Sequence, residues 1–337
     1  MAYTNIDDPS AFFHTQIFTG GGTSNDSHTN NAHSGDFQPD LIWAKDRVNA
    51  YNHDLVDSSR GPTVAFHPNT TVAEYTRTQS NYDFTSFDSN GFTTGAPDFT
   101  NSFGGNTNSN GKVAWQWKAN GGTTTSVSAS GTGSGCVNAS THQVNQDAGF
   151  SIITYTGRDD QTGDGEMTKL THGLDVAPAF TIMKNRSTGS WVVLGKNVTE
   201  SSPYSHNEHL ILNTTAAINA VTYTGNTYPD STYIYLGNAL VNVAADDYVC
   251  YAFAEKQGYS KFGKYVGNGN ANGSFVYTGF KPAFVMIKNY TNAGHDWQML
   301  DTKITPNNPY GTTLVANGSG AEISYTICDI VSNGFKF

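Results

Sequence analysis

Apolar and polar positions alternate along this chain in short runs with a period of two. Val113, Trp115 and Trp117 fall on one face of Val113-Ala114-Trp115-Gln116-Trp117-Lys118, the spacing of a strand with one buried side. Phe13-His14-Thr15-Gln16-Ile17-Phe18 is short and aromatic and runs toward Gly20-Gly21-Gly22, which predicts a strand and a turn. Leu41-Ile42-Trp43-Ala44 follows Pro39, and proline fits a strand start, where no ladder donor is needed. Further strands are predicted at 149–155, at Ser190-Trp191-Val192-Val193-Leu194 and at 248–255. Asn90-Gly91 between Phe87 and Phe92 is a hairpin-type turn signal. No window of about 11–18 residues holds a 3.6-residue apolar period. The pattern predicts an all-β chain.

One pattern recurs. Phe37-Gln38-Pro39-Asp40-Leu41 leads to Lys45-Asp46-Arg47, Val176-Ala177-Pro178-Ala179-Phe180 to Lys184-Asn185-Arg186, and Phe280-Lys281-Pro282-Ala283-Phe284 to Lys288-Asn289-Tyr290. Each copy follows an aromatic-Thr-Gly step: Phe18-Thr19-Gly20, Tyr155-Thr156-Gly157 and Tyr277-Thr278-Gly279. A repeated unit argues first for a scaffold. The predicted organisation is a β-sandwich over 1–119, a Gly/Ser/Thr-rich linker or extended arm over 120–147, a second sandwich over 148–258 and a partial third over 259–337. The third unit repeats His53-Asp54 and Asp57 as His295-Asp296 and Asp301, Glu74 as Glu322, and Ser89-Asn90-Gly91-Phe92 as Ser332-Asn333-Gly334-Phe335. It has no counterpart of the closing strands at Trp115 and Tyr251. Either further residues or a neighbouring chain is expected to complete its sheet, since a sandwich without a terminal strand leaves an open edge.

Composition narrows the class. Only 14% of the 337 residues are charged and 12% are aromatic, which suits packed β structure rather than disorder. A net charge of −10 disfavours nucleic acid and anionic membranes as partners. The cysteines Cys136, Cys250 and Cys328 lie far apart and read as reduced. No signal-peptide pattern follows Met1, and no apolar run reaches the ~18 residues of a membrane helix. Synthesis and folding in a cytoplasm are expected.

Candidate chemistry is sparse. Asp159, Asp160, Asp164 and Glu166 share a Gly-containing loop and are the best calcium candidates, though not at EF-hand spacing; a solvated acidic loop is the plain alternative. His206 and His209, and His28 and His33, read as surface histidines without further ligands for zinc. His53 with Asp57, or His295 with Asp301, lacks a Gly-x-Ser-x-Gly nucleophile. Asp57, Glu74 and Asp88 offer carboxylates, but no pair is singled out for glycoside hydrolysis. The run 267–273 lacks the Lys-Ser/Thr of a phosphate loop and reads as a turn. Lys45, Lys184 and Lys288 read as strand-end ion pairs or backbone donors, with contact to an acidic partner as the alternative. Trp115, Trp117, Trp191 and Trp297 are candidates for stacking on sugar rings, against a default of core packing. No catalytic residue and no cofactor other than calcium is expected.

Taken together, the aromatic-Thr-Gly steps, the Pro strands, the Asp57-Ser58-Ser59-Arg60-Gly61 segment, Ser89-Asn90-Gly91-Phe92 and Tyr251-Ala252-Phe253-Ala254-Glu255 resemble a family of virion structural proteins of tailed phages, common in marine phages. The resemblance covers nearly the whole chain and implies tandem lectin-like sandwiches of jelly-roll or concanavalin-like type. It implies a non-enzymatic virion protein, in a tail fibre or decorating the capsid, assembling with other virion proteins and as a homo-oligomer, a trimer. A host-surface glycan is the external partner it implies. A soluble carbohydrate-binding module and a polysaccharide-degrading enzyme are the alternatives.

Overall fold

The computed structural model describes residues 6–21, 26–30, 36–77, 84–95, 110–158, 167–195, 208–220, 227–237 and 240–337. Apart from a 3-10 turn at Pro9–Ala11, their regular structure is β throughout. Unit one contains β1 (Phe13–Thr19), β2 (Asp26–Thr29), β3 (Leu41–Asp46), β4 (Asp54–Asp57), β5 (Val64–Phe66), β6 (Tyr75–Thr76), β7 (Ser86–Asp88), β8 (Gly91–Thr94) and β9 (Gly111–Trp117). After β10 (Thr125–Val127) and β11 (Ser140–Asn145), unit two contains β12 (Phe150–Thr156), β13 (Thr168–Thr171), β14 (Phe180–Asn185), β15 (Val192–Leu194), β16 (Glu208–Ile211), β17 (Asn219–Ala220), β18 (Tyr233–Leu236) and β19 (Asp247–Phe253). Unit three contains β20 (Phe275–Tyr277), β21 (Phe284–Ile287), β22 (Gln298–Asp301), β23 (Tyr310–Val315), β24 (Ile323–Val331) and β25 (Gly334–Lys336).

Units one and two share a topology. The large sheet of unit one runs β1-β9-β3-β4-β5-β6, with a small sheet β2-β8-β7; unit two runs β12-β19-β14-β15-β16-β17, with β13-β18. Pro39, Pro178 and Pro282 each stand two residues ahead of β3, β14 and β21. The closing strands β9 and β19 are central, each antiparallel to two neighbours.

The large sheets of units one and two have two covered faces, and the sequence shows why. All six residues of β3 are buried. Ile42 and Ala44 face the unit's own small sheet with Phe84 and Phe92. Leu41 and Trp43 face a second core shared by all three units, which includes Leu55, Phe66 and Trp115, Phe180, Trp191 and Tyr251, and Trp297, Met299 and Leu314. Unit two buries Ile153, Met183 and Cys250 against Leu170, Ile234 and Leu236 on its outer side. The units therefore pack around one common core instead of forming separate beads. The three cysteines are free thiols and buried.

Two expectations are refined. Of the two readings of 120–147, linker or extended arm, the linker falls away: β10 and β11 extend the large sheet of unit two as β10-β11-β12. Its Ser and Thr side chains hid this, because edge pairing needs backbone groups and little apolar area. Unit three lacks more than a closing strand. Its β20 carries the Tyr277-Thr278-Gly279 step, yet pairs with β25 in the way that β2 pairs with β8. Pro282 follows Gly279 by three residues, which leaves no room for a β2-type strand. The result is one six-stranded sheet, β20-β25-β24-β23-β22-β21, whose two ends are open among the described residues.

The Asn-Gly-Phe repeats have a steric reason. A Cβ on Gly91 (φ +148) would lie 2.0 Å from the His28 carbonyl oxygen, and one on Gly334 would lie 2.0 Å from that of Val276. Gly91→Ala and Gly334→Ala should each lower stability by about 1–3 kcal/mol in urea unfolding. Gly320→Ala, where an added Cβ meets nothing within 4 Å, should change it by less than about 0.5 kcal/mol.

Candidate functional site: the seams between units

The recurring residues converge on three seams. A backbone bond marks each at an equivalent place: Glu74 N donates to Arg186 O at 2.8 Å, Ile218 N to Tyr290 O at 2.8 Å and Glu322 N to Arg47 O at 2.9 Å. Unit one thus grips unit two, two grips three, and three returns to one. The ring closes with a pseudo-threefold order inside a single chain.

Aromatic and imidazole rings cross the same seams. The residue ahead of the second large-sheet hairpin strand is His53, Trp191 or Trp297, and its backbone N–H donates to Asn69, Asn213 or Asn317 Oδ1 at 3.1, 2.9 and 2.7 Å. His53 Nε2 reaches Val315 O and Gly318 O at 3.1 and 3.0 Å. Trp297 Nε1 donates to Ile211 O at 3.0 Å. Trp191 stands edge-on to Phe66, with centroids 5.1 Å apart.

Arginine–glutamate ion pairs reinforce two seams, and among the described residues the third carries none at the equivalent place. Arg186 forks onto Glu74 at 2.9 and 2.7 Å, and Arg47 pairs with Glu322. At the remaining seam the corresponding residues are Tyr290 and Ile218, both packed on the shared core. With an apolar residue on both sides of this seam, neither member of an ion pair is left without its partner.

The first seam holds the densest buried network. Arg60 lies over the Phe66 ring at 4.3 Å. It donates to Asp57 Oδ2 at 2.7 Å, Glu74 Oε2 at 3.2 Å and Tyr251 Oη at 3.1 Å, and Tyr251 donates to Asp57 Oδ2 at 2.7 Å. Burial works against the Arg60 charge, but Asp57, Tyr251 and Glu74 together outweigh it and hold the guanidinium above its ordinary pKa. Asp301 is the unit-three counterpart of Asp57: its Oδ2 accepts from Trp115 Nε1 at 2.9 Å and Thr15 Oγ1 at 2.7 Å. Burial raises the pKa of Asp301.

The other predicted residues resolve as follows. Lys45 Nζ donates to Asp46 O and Asn49 O at 2.6 and 3.0 Å, Lys184 Nζ to Asn185 O at 2.8 Å, and Lys288 Nζ to Thr215 O at 3.2 Å and to His295 O. They are backbone donors at strand ends, and burial pulls Lys45 and Lys184 down to about 8. Trp115, Trp191 and Trp297 are at most 2% exposed, and Trp117 packs against the same core and Phe13. A fully covered ring offers no face to a sugar, which removes the first three as stacking platforms. His28 and His209 are buried rather than on the surface, and burial holds both near 4. Asp159, Asp160, Asp164, Glu166, His33 and His206 lie outside the described residues. Among the described residues no three His, Cys, Asp or Glu side chains gather as a metal site. Asp88 accepts from Ser86 and Thr93 hydroxyls. The 267–273 run is a chain of asparagine turns, with Asn270 N on Asn268 Oδ1 and Asn272 N on Asn270 Oδ1.

The carboxylates nominated for hydrolysis, Asp57 and Glu74, are both taken up by Arg60. Sequence reading missed Arg60, Arg47 and Arg186 as clasps. The usable signal was the third position of the Lys-x-[Arg/Tyr] motif set against the recurring glutamate.

The chain belongs to one family. Residues 8–337 match a domain of unknown function, DUF7483. No curated protein matches the chain, and neither does any solved structure. The seams described above are therefore features of a DUF7483 chain. No helix among its described residues is long and apolar enough to cross a membrane.

Breaking a buried pair leaves an uncompensated charge. Asp57→Ala should cost about 3–5 kcal/mol in chemical denaturation, whereas Lys261→Ala, which removes the pair of this exposed lysine with Glu255 and leaves the bond from Phe262 N to Glu255 in place, should cost less than about 1 kcal/mol. A pH dependence follows from the histidines. Burial lowers His28 and His209 to about 4 and His53 to about 3, so the folded chain refuses protons that the unfolded chain accepts below about 6.5. Their contribution is full above that pH and falls by up to about 1.4 kcal/mol per group per unit as pH drops toward 4. His67 works the other way: burial pulls it down, but Asp54 outweighs this and raises it, so its contribution fades as pH rises. Denaturant midpoints should fall steadily from pH 7 to pH 5, and His28→Gln should flatten the slope.

Proposed function

We propose that this chain is a structural component of a tailed-phage particle, exposed on the particle surface as part of a tail fibre or as a capsid decoration, and that it is not an enzyme. The observation that carries this reading is where the repeated polar residues go. Asn69, Asn213 and Asn317, Lys45, Lys184 and Lys288, Glu74 and Glu322, and Asp57 and Asp301 all bond within the chain, at seams and strand ends. A unit copied for rigid display spends its polar groups in that way. The resemblance to virion proteins of tailed phages supports the same reading, as do the low charge and the all-β fold.

The three seams close within one chain, so a homotrimer is not needed to make them. Oligomerisation would act instead by multiplying weak contacts with host or particle. Calcium at the 159–166 loop is not needed for this role. A glycan-binding role is the second reading; the exposed Tyr277 and Tyr325, at 66% and 65%, favour it over the buried tryptophans.

Immunogold labelling of purified particles with an antibody to this chain tests the proposal. Label on tail fibres or capsid surface is expected; antigen confined to the soluble lysate, with bare particles, would refute it. On glycan arrays, saturable binding lost in Tyr277→Ala and Tyr325→Ala would move the weight to the second reading.

A further inference from the structure

Unit one carries a polar cluster that the other two units do not repeat. Asp54 in β4, His67 just past β5, Tyr75 in β6 and Arg77 just past it share the outer face of the large sheet, with Val56 and Ala65. Asp54 is fully buried. Its carboxylate accepts from Tyr75 Oη at 2.6 Å and Arg77 Nη2 at 2.7 Å, and lies 3.1 Å from His67 Nδ1. The Tyr75 ring stands 4.6 Å from the His67 ring and 5.0 Å from the Arg77 guanidinium. The ladder registers give the equivalent places elsewhere. Asp54 becomes Val192 in unit two and Gln298 in unit three, His67 becomes Ile211 and Val315, and Tyr75 becomes Asn219 and Ile323. The same strands therefore pair without a charge at any of these places. A buried ionic cluster is often no more stable than apolar packing of similar volume, so folding alone does not call for this one.

The cluster decides which nitrogen of His67 faces outward. Nδ1 lies 2.8 Å from His53 O, and a carbonyl can only accept, so Nδ1 carries the proton of the neutral ring. Among the described residues Nε2 bonds to none, and 13% of the side chain is exposed. The neutral ring presents a lone pair outward, and the protonated ring an N–H donor. The charges of Asp54 and Arg77 cancel, so protonation leaves the cluster with one net positive charge. Tyr75 keeps its proton, because burial and then Asp54 raise its pKa. The remaining titratable groups of the strands packed here are engaged elsewhere. Asp46 pairs with Lys112, and Lys45 bonds Asp46 O and Asn49 O. On the small sheet Asp26 accepts from Gly21 N, Asp88 from the Ser86 and Thr93 hydroxyls, and His28 bonds Thr94. His53 turns its ring to Trp43 and unit three.

We propose that His67 is the contact point of an anion site on the outer face of unit one, where its Nε2–H takes a singly charged oxyanion, a carboxylate or a phosphodiester. The site stands apart from the particle reading above. Asp54 is a positioning residue: it fixes the ring through Nδ1 and favours the charged form, since its attraction outweighs burial and raises the His67 pKa. In a chain of net charge −10 an anion needs a local positive group. A charged donor held in place bonds an oxyanion about twice as strongly as a neutral one does. A ligand that needs this proton binds best below the His67 midpoint and loses affinity above it, about tenfold per pH unit.

The test uses the 337-residue chain at constant ionic strength. Calorimetric titrations take methyl glucuronide as the carboxylate, dimethyl phosphate as the phosphodiester and methyl glucoside as the neutral control. NMR of the chain labelled with 15N-histidine reads the His67 midpoint and tautomer. Saturable binding of at least one anion is expected, about tenfold weaker one pH unit above the midpoint than one unit below, and the saturating anion should raise that midpoint. Methyl glucoside should not bind. Which anion binds assigns the site to carboxylate or phosphodiester. His67→Val, the residue that unit three carries at this place, should abolish binding. Absence of saturable binding by both anions would overturn the proposal. So would equal binding of methyl glucoside, affinity that ignores the His67 midpoint, full binding by His67→Val, or a neutral ring protonated on Nε2. Should urea unfolding show that His67→Val does not fold, the pH profile of the unaltered chain decides alone. None of these results depends on particle labelling, so either proposal can fail without the other.

Discussion

A β-sheet with apolar residues on both faces has to find two partners, and this requirement organises the whole molecule. Leu41 and Trp43 point one way from β3, Ile42 and Ala44 the other. Each unit has one small sheet or sheet half of its own and cannot cover its second face with it. Three large sheets meeting at a common core solve the problem together. Repeat proteins often stack their units in an open line, each covering the next. Here the line is bent until the third unit reaches the first, and the contact between Arg47 and Glu322 closes it.

Closure places polar demands on the seams. Backbone groups at strand ends must bond somewhere, and lysines at the ends of β3, β14 and β21 answer that need. The seam ion pairs come as matched sets, Arg186 with Glu74 and Arg47 with Glu322, while the apolar pair Tyr290 and Ile218 stands at the equivalent place of the third seam. Apolar and ionic solutions stand at equivalent places in one molecule, which fits the modest net value of such pairs once desolvation is counted.

Much of this was legible in the sequence. The period-two runs gave the strands, and the triplicate proline motif gave the equivalence of β3, β14 and β21. The apolar run at Leu41–Ala44 was read only as a strand, and that it is covered on both sides emerges from the fold. The seams were not legible, because Arg47 and Glu322 lie 275 positions apart and a single chain offers no pairing information. The β10 and β11 arm escaped because Ser, Thr and Gln pair through their backbones without an apolar signature. The tryptophans show the opposite case: their alternation named the core correctly, and the competing sugar-binding reading of Trp115, Trp191 and Trp297 ends with their burial. Unit three's short path from Gly279 to Pro282 was visible and was the sign of its second missing strand.

The central claim is that three units share one core and therefore stand or fall together. Scanning calorimetry of the 337-residue chain tests it most directly, by comparing the calorimetric enthalpy with the van't Hoff enthalpy. One transition with the two enthalpies equal is the expected result. Two or three separable transitions, each accounting for part of the heat, would mean that the units fold independently and that the common core does not hold the molecule together.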